Sequence, residues 1–184
     1  MRPPTSIGSS PAAKAVALVV ISGSEKAVIA RKALEQAKVR GVLYGILQAT
    51  WGFPQTIAGA AVFLAHAHRP HCRFHGAVVT TWESYKALSL GPFVFLRGPS
   101  DKSDFLDDVE RPLLVHEYGH TIQSLILGPA YLVVIGLPSV VRMNAPFLVR
   151  RRNEKGVSYY AHYAERSANW LGELALGEPS PGIE

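Results

Sequence analysis

The pentapeptide His116-Glu117-Tyr118-Gly119-His120 constrains this chain more than any other feature. On a helix, histidines at i and i+4 project from one face one turn apart. Both imidazoles then reach a single ion, and the intervening glutamate lies beside the metal's open position. The flanks predict that helix. Asp107, Asp108 and Glu110 place acidic residues near the positive dipole end, and Pro112 falls where a first-turn proline is tolerated. From Leu113 the run continues without a breaker to Leu127 and stops at Gly128-Pro129. One face then carries Leu113, His116, Glu117, His120, Gln123 and Leu127. The competing reading is a buried helix whose two histidines are satisfied core groups.

A zinc ion that keeps one position for a reactive water needs a third protein ligand. Glu165 is the candidate, in the Gly- and Pro-free stretch from Tyr159 to Leu171, which predicts a second helix. Its bland alternative is a solvated charge beside Arg166. Asn169, four residues on, shares the Glu165 face and is placed to accept the N–H of a ligand histidine through its side-chain oxygen. His162, one turn before Glu165, is a rival ligand, a donor to a transition-state oxyanion, or a packing group. The donor role is the preferred one, with Tyr159, Tyr160 and Tyr163 as competitors.

H-E-x-x-H followed downstream by E-x-x-A-[ND]-x-x-G, here Glu165, Ala168, Asn169 and Gly172, resembles the gluzincin metallopeptidases. Within them it is most similar to the membrane-embedded group that includes the heat-shock and CAAX-processing proteases. The resemblance rests on two short segments. It implies His116, His120 and Glu165 as zinc ligands, Glu117 as general base, and Asn169 as the residue that orients a ligand histidine. Asn169 departs from the family's usual aspartate: a neutral amide fixes the imidazole tautomer but does not raise its basicity as a carboxylate does. The chain is also similar to small bacterial proteins with H-E-Y-G-H and G-P-x-Y-L runs, a likeness that implies no activity.

The net charge of +5 is spread among scattered Lys and Arg and a cluster at Arg150-Arg151-Arg152 with Lys155. Without an aromatic nucleic-acid motif this suits an anionic membrane surface and argues against a nucleic-acid partner. Two charge-free segments speak for the membrane as well. Val42 to Ala67 runs 26 residues, interrupted by Gln48, Gly52, Pro54 and Gln55, and predicts a helical hairpin bent near Trp51-Gly52-Phe53-Pro54 or one kinked span. Thr121 to Val141 is broken at Gly128-Pro129 and Gly136-Leu137-Pro138. If Glu165 meets His116 and His120, both ends of this second segment share one side of any bilayer. Its 21 residues are too few for two spans, so it should be re-entrant, interfacial or buried. Ordinary core helices are the alternative for both segments.

The rest organises around the site. Residues 1–23 read as a mobile tail, Met1 to Pro11, and a short apolar run, Ala15 to Ile21; 24–176 form a single domain, opened by a basic amphipathic helix from Ser24 to Arg40. Residues 177–184 read as a loose tail. His75 to Thr81 and Pro92 to Leu96 predict strands of a small sheet just before the H-E-x-x-H helix, whose exposed edge suits an extended peptide. The single Cys72 excludes an intrachain disulfide. His66, His68, His71 and His75, with Cys72, match no standard metal spacing, and Pro70 interrupts any helix that would align them.

The expectation is therefore an α+β, mostly helical, zincin-like domain with a small sheet before the H-E-x-x-H helix, associated with a membrane such as a bacterial inner membrane. Its expected activity is zinc-dependent hydrolysis of a peptide or protein, with Glu117 as base and His162 at the oxyanion. A non-catalytic membrane or interaction protein with a structural or vestigial zinc site is the competing class, distinguished by a fourth protein ligand such as His162. A zinc amidase would show a narrow pocket with no strand edge beside it.

Overall fold

The computed structural model describes residues 40–98, 105–107 and 109–182. The tail, the short apolar run and all but the last residue of the basic helix expected before residue 40 lie outside the described residues. The fold is α+β, helices around one small mixed sheet.

The first charge-free segment forms two helices, α1 over 40–50 and α2 at Phe53–Ala65, broken at Trp51-Gly52 where the proline of α2 enters its first turn. Four strands follow: β1 His71–Phe74, β2 Ala77–Trp82, β3 Leu88–Leu90 and β4 Phe93–Arg97. Their order is β1-β2-β4-β3, with β2 and β4 parallel and the outer pairings antiparallel. His75-Gly76, expected to start a strand, instead makes the tight β1–β2 turn, with both residues at positive φ. The three-residue β3 is the edge beside the site.

Helix α3, Arg111–Leu127, begins with Pro112 in its first turn and ends at Gly128, as expected. Phe74, Ala77, Val79, Val94 and Leu96 of the sheet join Leu114 and Tyr118 of α3 in one apolar core. Beyond Gly128–Ala130 the backbone passes through a π-helical turn, Leu132–Gly136, into α4, Leu137–Asn144, and α5, Pro146–Glu154. The stretches Arg111–Ala130 and Leu132–Asn144 bend by 116° at their junction. Among the described residues no single helix is long and apolar enough to cross a membrane.

The last helix, α6, spans Tyr163–Leu176, four residues later at its start than the sequence suggests. Tyr159–Ala161 is a separate 3-10 turn, and His162 is extended and forms the helix N-cap. α6 lies against α3 at very short range. A Cβ on Gly119 would sit 1.9 Å from the Ala168 carbonyl oxygen, and one on Gly172 2.1 Å from that of Val115. The small residues of the two motifs are thus the contact that lets the helices approach. Residues 178–181 of the segment expected as a loose tail make contacts with the helices. Glu178 pairs with Arg111, Ser180 bonds Glu173, and the Pro181 carbonyl accepts from Asn169.

Candidate metal centre

Because α3 and α6 meet at Gly119 and Ala168, His116 and Glu165, each about one turn before the contact, and His120, next to it, converge. His116, His120 and Glu165 are all buried, and their donor atoms lie within 4.8 Å of one another. Glu165 Oε2 is 3.1 Å from His116 Nε2 and 3.3 Å from His120 Nε2. Atoms bound to a tetrahedral ion at zinc's usual bond lengths lie about 3.3 Å apart, so this spacing fits one such ion.

The surrounding hydrogen bonds decide which ring nitrogens face that point. Asn169 Nδ2 donates to the Pro181 carbonyl, so its oxygen turns to His116 Nδ1, 2.5 Å away. Gln123 Nε2 donates to the Ala164 carbonyl and to Ser167 Oγ, so its oxygen faces His120 Nδ1 at 2.7 Å. An amide oxygen accepts only, and both imidazoles must therefore carry hydrogen on Nδ1. With each Nδ1 committed to an amide oxygen, the two Nε2 atoms face the Glu165 carboxylate; once they give up any proton they hold there, three lone pairs converge on one point that could hold a metal ion. Tyr159 donates to the other Glu165 oxygen at 2.8 Å and completes its alignment.

Electrostatics follow the same pattern. Burial alone would raise the Glu165 pKa, yet hydrogen bonds from His116 and His120 hold its carboxyl far below the usual range. Burial opposes charge on His120, but Glu165, the Glu117 carboxylate and Gln123 together push its pKa up to about 9. Burial, and after it the charges of Glu117 and Glu165, keep the Tyr131 phenol well above its ordinary value; it stays a neutral donor.

The three candidate ligands line one side of an open cavity of about 870 Å³. Glu117, buried on α3, lines it too, and Ser89 of the edge strand donates to Glu117 Oε2 at 2.6 Å. Tyr131 donates to the Ser89 carbonyl at 3.2 Å, tying β3 to the turn after α3. Tyr160 lines the same cavity with its ring edge-on to His116.

His162, expected at the site, is not brought to it. It is neither among the converging donors nor among the residues lining the cavity, and its ring lies against Tyr163. The cause is local: the helix starts after His162, whose extended backbone swings it off the Glu165 face. Ser89 and Tyr131 are the site residues that sequence reasoning missed; a lone serine in a three-residue strand carries no pattern. Gln123 could have been found, being one turn from His120 on the same face. The histidines between His66 and His75 form no metal-binding cluster among the described residues. No protein family, curated protein or solved structure matches the chain.

Proposed function

We propose that this chain is a zinc-dependent hydrolase of the gluzincin type, acting on peptide bonds. The observation that carries the reading is the convergence of His116 Nε2, His120 Nε2 and Glu165 Oε2 beside Glu117 at the wall of an open cavity. Two imidazoles and one carboxylate are a donor set suited to catalytic zinc. When bound, zinc supplies a Lewis acid that polarises a carbonyl and acidifies a water. Glu117 takes the proton from the attacking water and returns it to the leaving amine. Ser89 holds the Glu117 carboxylate toward the cavity. The Tyr160 phenol, kept protonated chiefly by burial and then by Glu117, donates to the oxyanion in place of His162.

Three converging protein donors rather than four among the described residues support a catalytic site over a structural one. The edge strand β3 at the cavity wall supports a peptide over a small amide, because an extended backbone can pair along it. The test is metal content and peptide hydrolysis of the purified protein against His116→Ala. One zinc per chain and cleavage of an unstructured peptide pool are expected, both lost in the variant. Wild-type protein that takes up no zinc would overturn the reading.

A further inference from the structure

Both charge-free segments bury polar side chains beside apolar ones such as Tyr44, Tyr131 and Ile135, while leaving large apolar side chains on their outer faces. Gln48 of α1 and Gln55 of α2 are both completely buried. Gln48 donates to the Thr121 carbonyl at 2.9 Å and accepts from Ser124 at 2.8 Å. Gln55 donates to Ser124 Oγ and to the Gly128 carbonyl. Outward, Val42 and Ile46 of α1, Trp51 at the break, and Phe53, Ile57 and Leu64 of α2 are each at least half exposed. Trp51 packs on Gly128, and the next stretch continues the apolar surface with exposed Ile126 and Val133.

In water the opposite arrangement is favoured, since glutamine solvates well and large aliphatic patches do not. Against hydrocarbon the observed one is favoured: helices join through hydrogen-bonded polar side chains and show aliphatic ones to lipid. Depth is limited by length. The 13 residues of α2 reach about 20 Å, short of the roughly 30 Å hydrocarbon core. The charges that bound these segments select the lipid. Of the two arginines that bracket the first, Arg40 is exposed whereas Arg69 is mostly buried and paired with Glu83; Arg142, Arg150, Arg151, Arg152 and Lys155 follow the second, with Glu154 the one acidic residue from 142 to 155.

We propose that the outer face of α1, α2 and residues 126–141 inserts one-sidedly into an anionic lipid leaflet, with the basic residues at the phosphate headgroups. The proposal does not rest on the metal centre.

The test uses the full chain, purified in detergent and diluted into vesicles, in a Cys72→Ser background. A polarity-sensitive fluorophore is attached through Ile57→Cys or, as a control on α6, Leu174→Cys. With phosphatidylcholine–phosphatidylglycerol vesicles the protein should float with the lipid. The label at 57 should shift to the blue and be quenched by spin-labelled lipid, while the label at 174 should not. Ile46→Asn with Ile57→Asn should weaken vesicle binding about tenfold or more. Arg150→Gln with Arg151→Gln should remove the preference for anionic over purely phosphatidylcholine vesicles. His116→Ala should bind vesicles as the wild type does, which separates this proposal from the zinc reading. Failure to float, or a label at 57 that stays in water, would overturn it. So would shielding of that label without vesicles in a species of twice the chain mass, which would make a second copy the occupant.

Discussion

Asn169 holds His116 through its oxygen at 2.5 Å because its nitrogen is already committed to the Pro181 carbonyl. The tail segment after α6 thereby sets the tautomer of a candidate ligand on α3. Asn169→Ala removes the acceptor and frees the ring to rotate or to change tautomer. Zinc affinity is expected to fall about 10- to 100-fold, the range for loss of a hydrogen bond behind a metal-binding histidine. Competition with a chromophoric chelator measures this, and affinity equal to wild type would show that the amide does not orient the ring.

The approach of α3 to α6 leads to a stability prediction that needs no metal. A methyl group on Gly119 would lie 1.9 Å from the Ala168 carbonyl oxygen, a backbone atom that cannot rotate away. Gly119→Ala must separate the helices, at a cost of about 3 kcal/mol or more. Thermal unfolding of the metal-free protein should show a much lower midpoint. Gly156→Ala, at a positive φ in open space, should cost less, about 1 kcal/mol. Equal midpoints for Gly119→Ala and wild type would mean that the helices do not pack this closely.

Both motifs were legible because they sit on helices, where periodicity turns spacing into direction. Glu165 and Asn169 fall on one face of α6 just as His116 and His120 do on α3, and the helix ends at Pro112 and Gly128 follow from proline and glycine chemistry. What was not legible depends on partners distant in sequence. Ser89 reaches Glu117 only because β3 is drawn to the sheet edge beside β4, and nothing local predicts a three-residue strand. His162 misled because helical spacing was extended one turn too far; an extended residue at the N-cap looks no different in sequence. The Pro-rich segment after α6 makes hydrogen bonds to Glu173 and Asn169 of α6 and an ion pair with Arg111 of α3, contacts that composition does not encode.

Proton and metal compete for the same point. The His120 pKa, raised to about 9 in the metal-free protein, means that this ring is cationic at neutral pH and gives up its proton when a metal binds. Zinc affinity should therefore rise about tenfold per pH unit on approaching 9 and level off beyond it. Linkage has the opposite sign for the metal-free fold. A raised histidine pKa contributes stability that is complete below about 6.5, the unfolded value, and is lost as pH rises through 9. The two trends are read by chelator competition and by thermal melts across this range. An affinity that does not change with pH would rule out the proton competition.

The last prediction separates the base from the residue that positions it. Glu117→Gln preserves shape and can still accept from Ser89, but it cannot take a proton. Turnover of the peptide pool should fall about 10²- to 10⁴-fold while zinc content stays at the wild-type value. Ser89→Ala leaves the carboxylate and removes the hydroxyl 2.6 Å away that aims it. The expected loss is smaller, about tenfold, and should fall mainly on kcat with zinc content unchanged, because no metal-donor atom is altered and only one hydroxyl leaves the cavity wall. Ser89→Thr, which restores a hydroxyl, should recover part of the rate. If Glu117→Gln turned over peptides at the wild-type rate, the assigned base would be wrong. If Ser89→Ala instead lost its zinc, the serine would be supporting the site's structure and not the direction of its carboxylate.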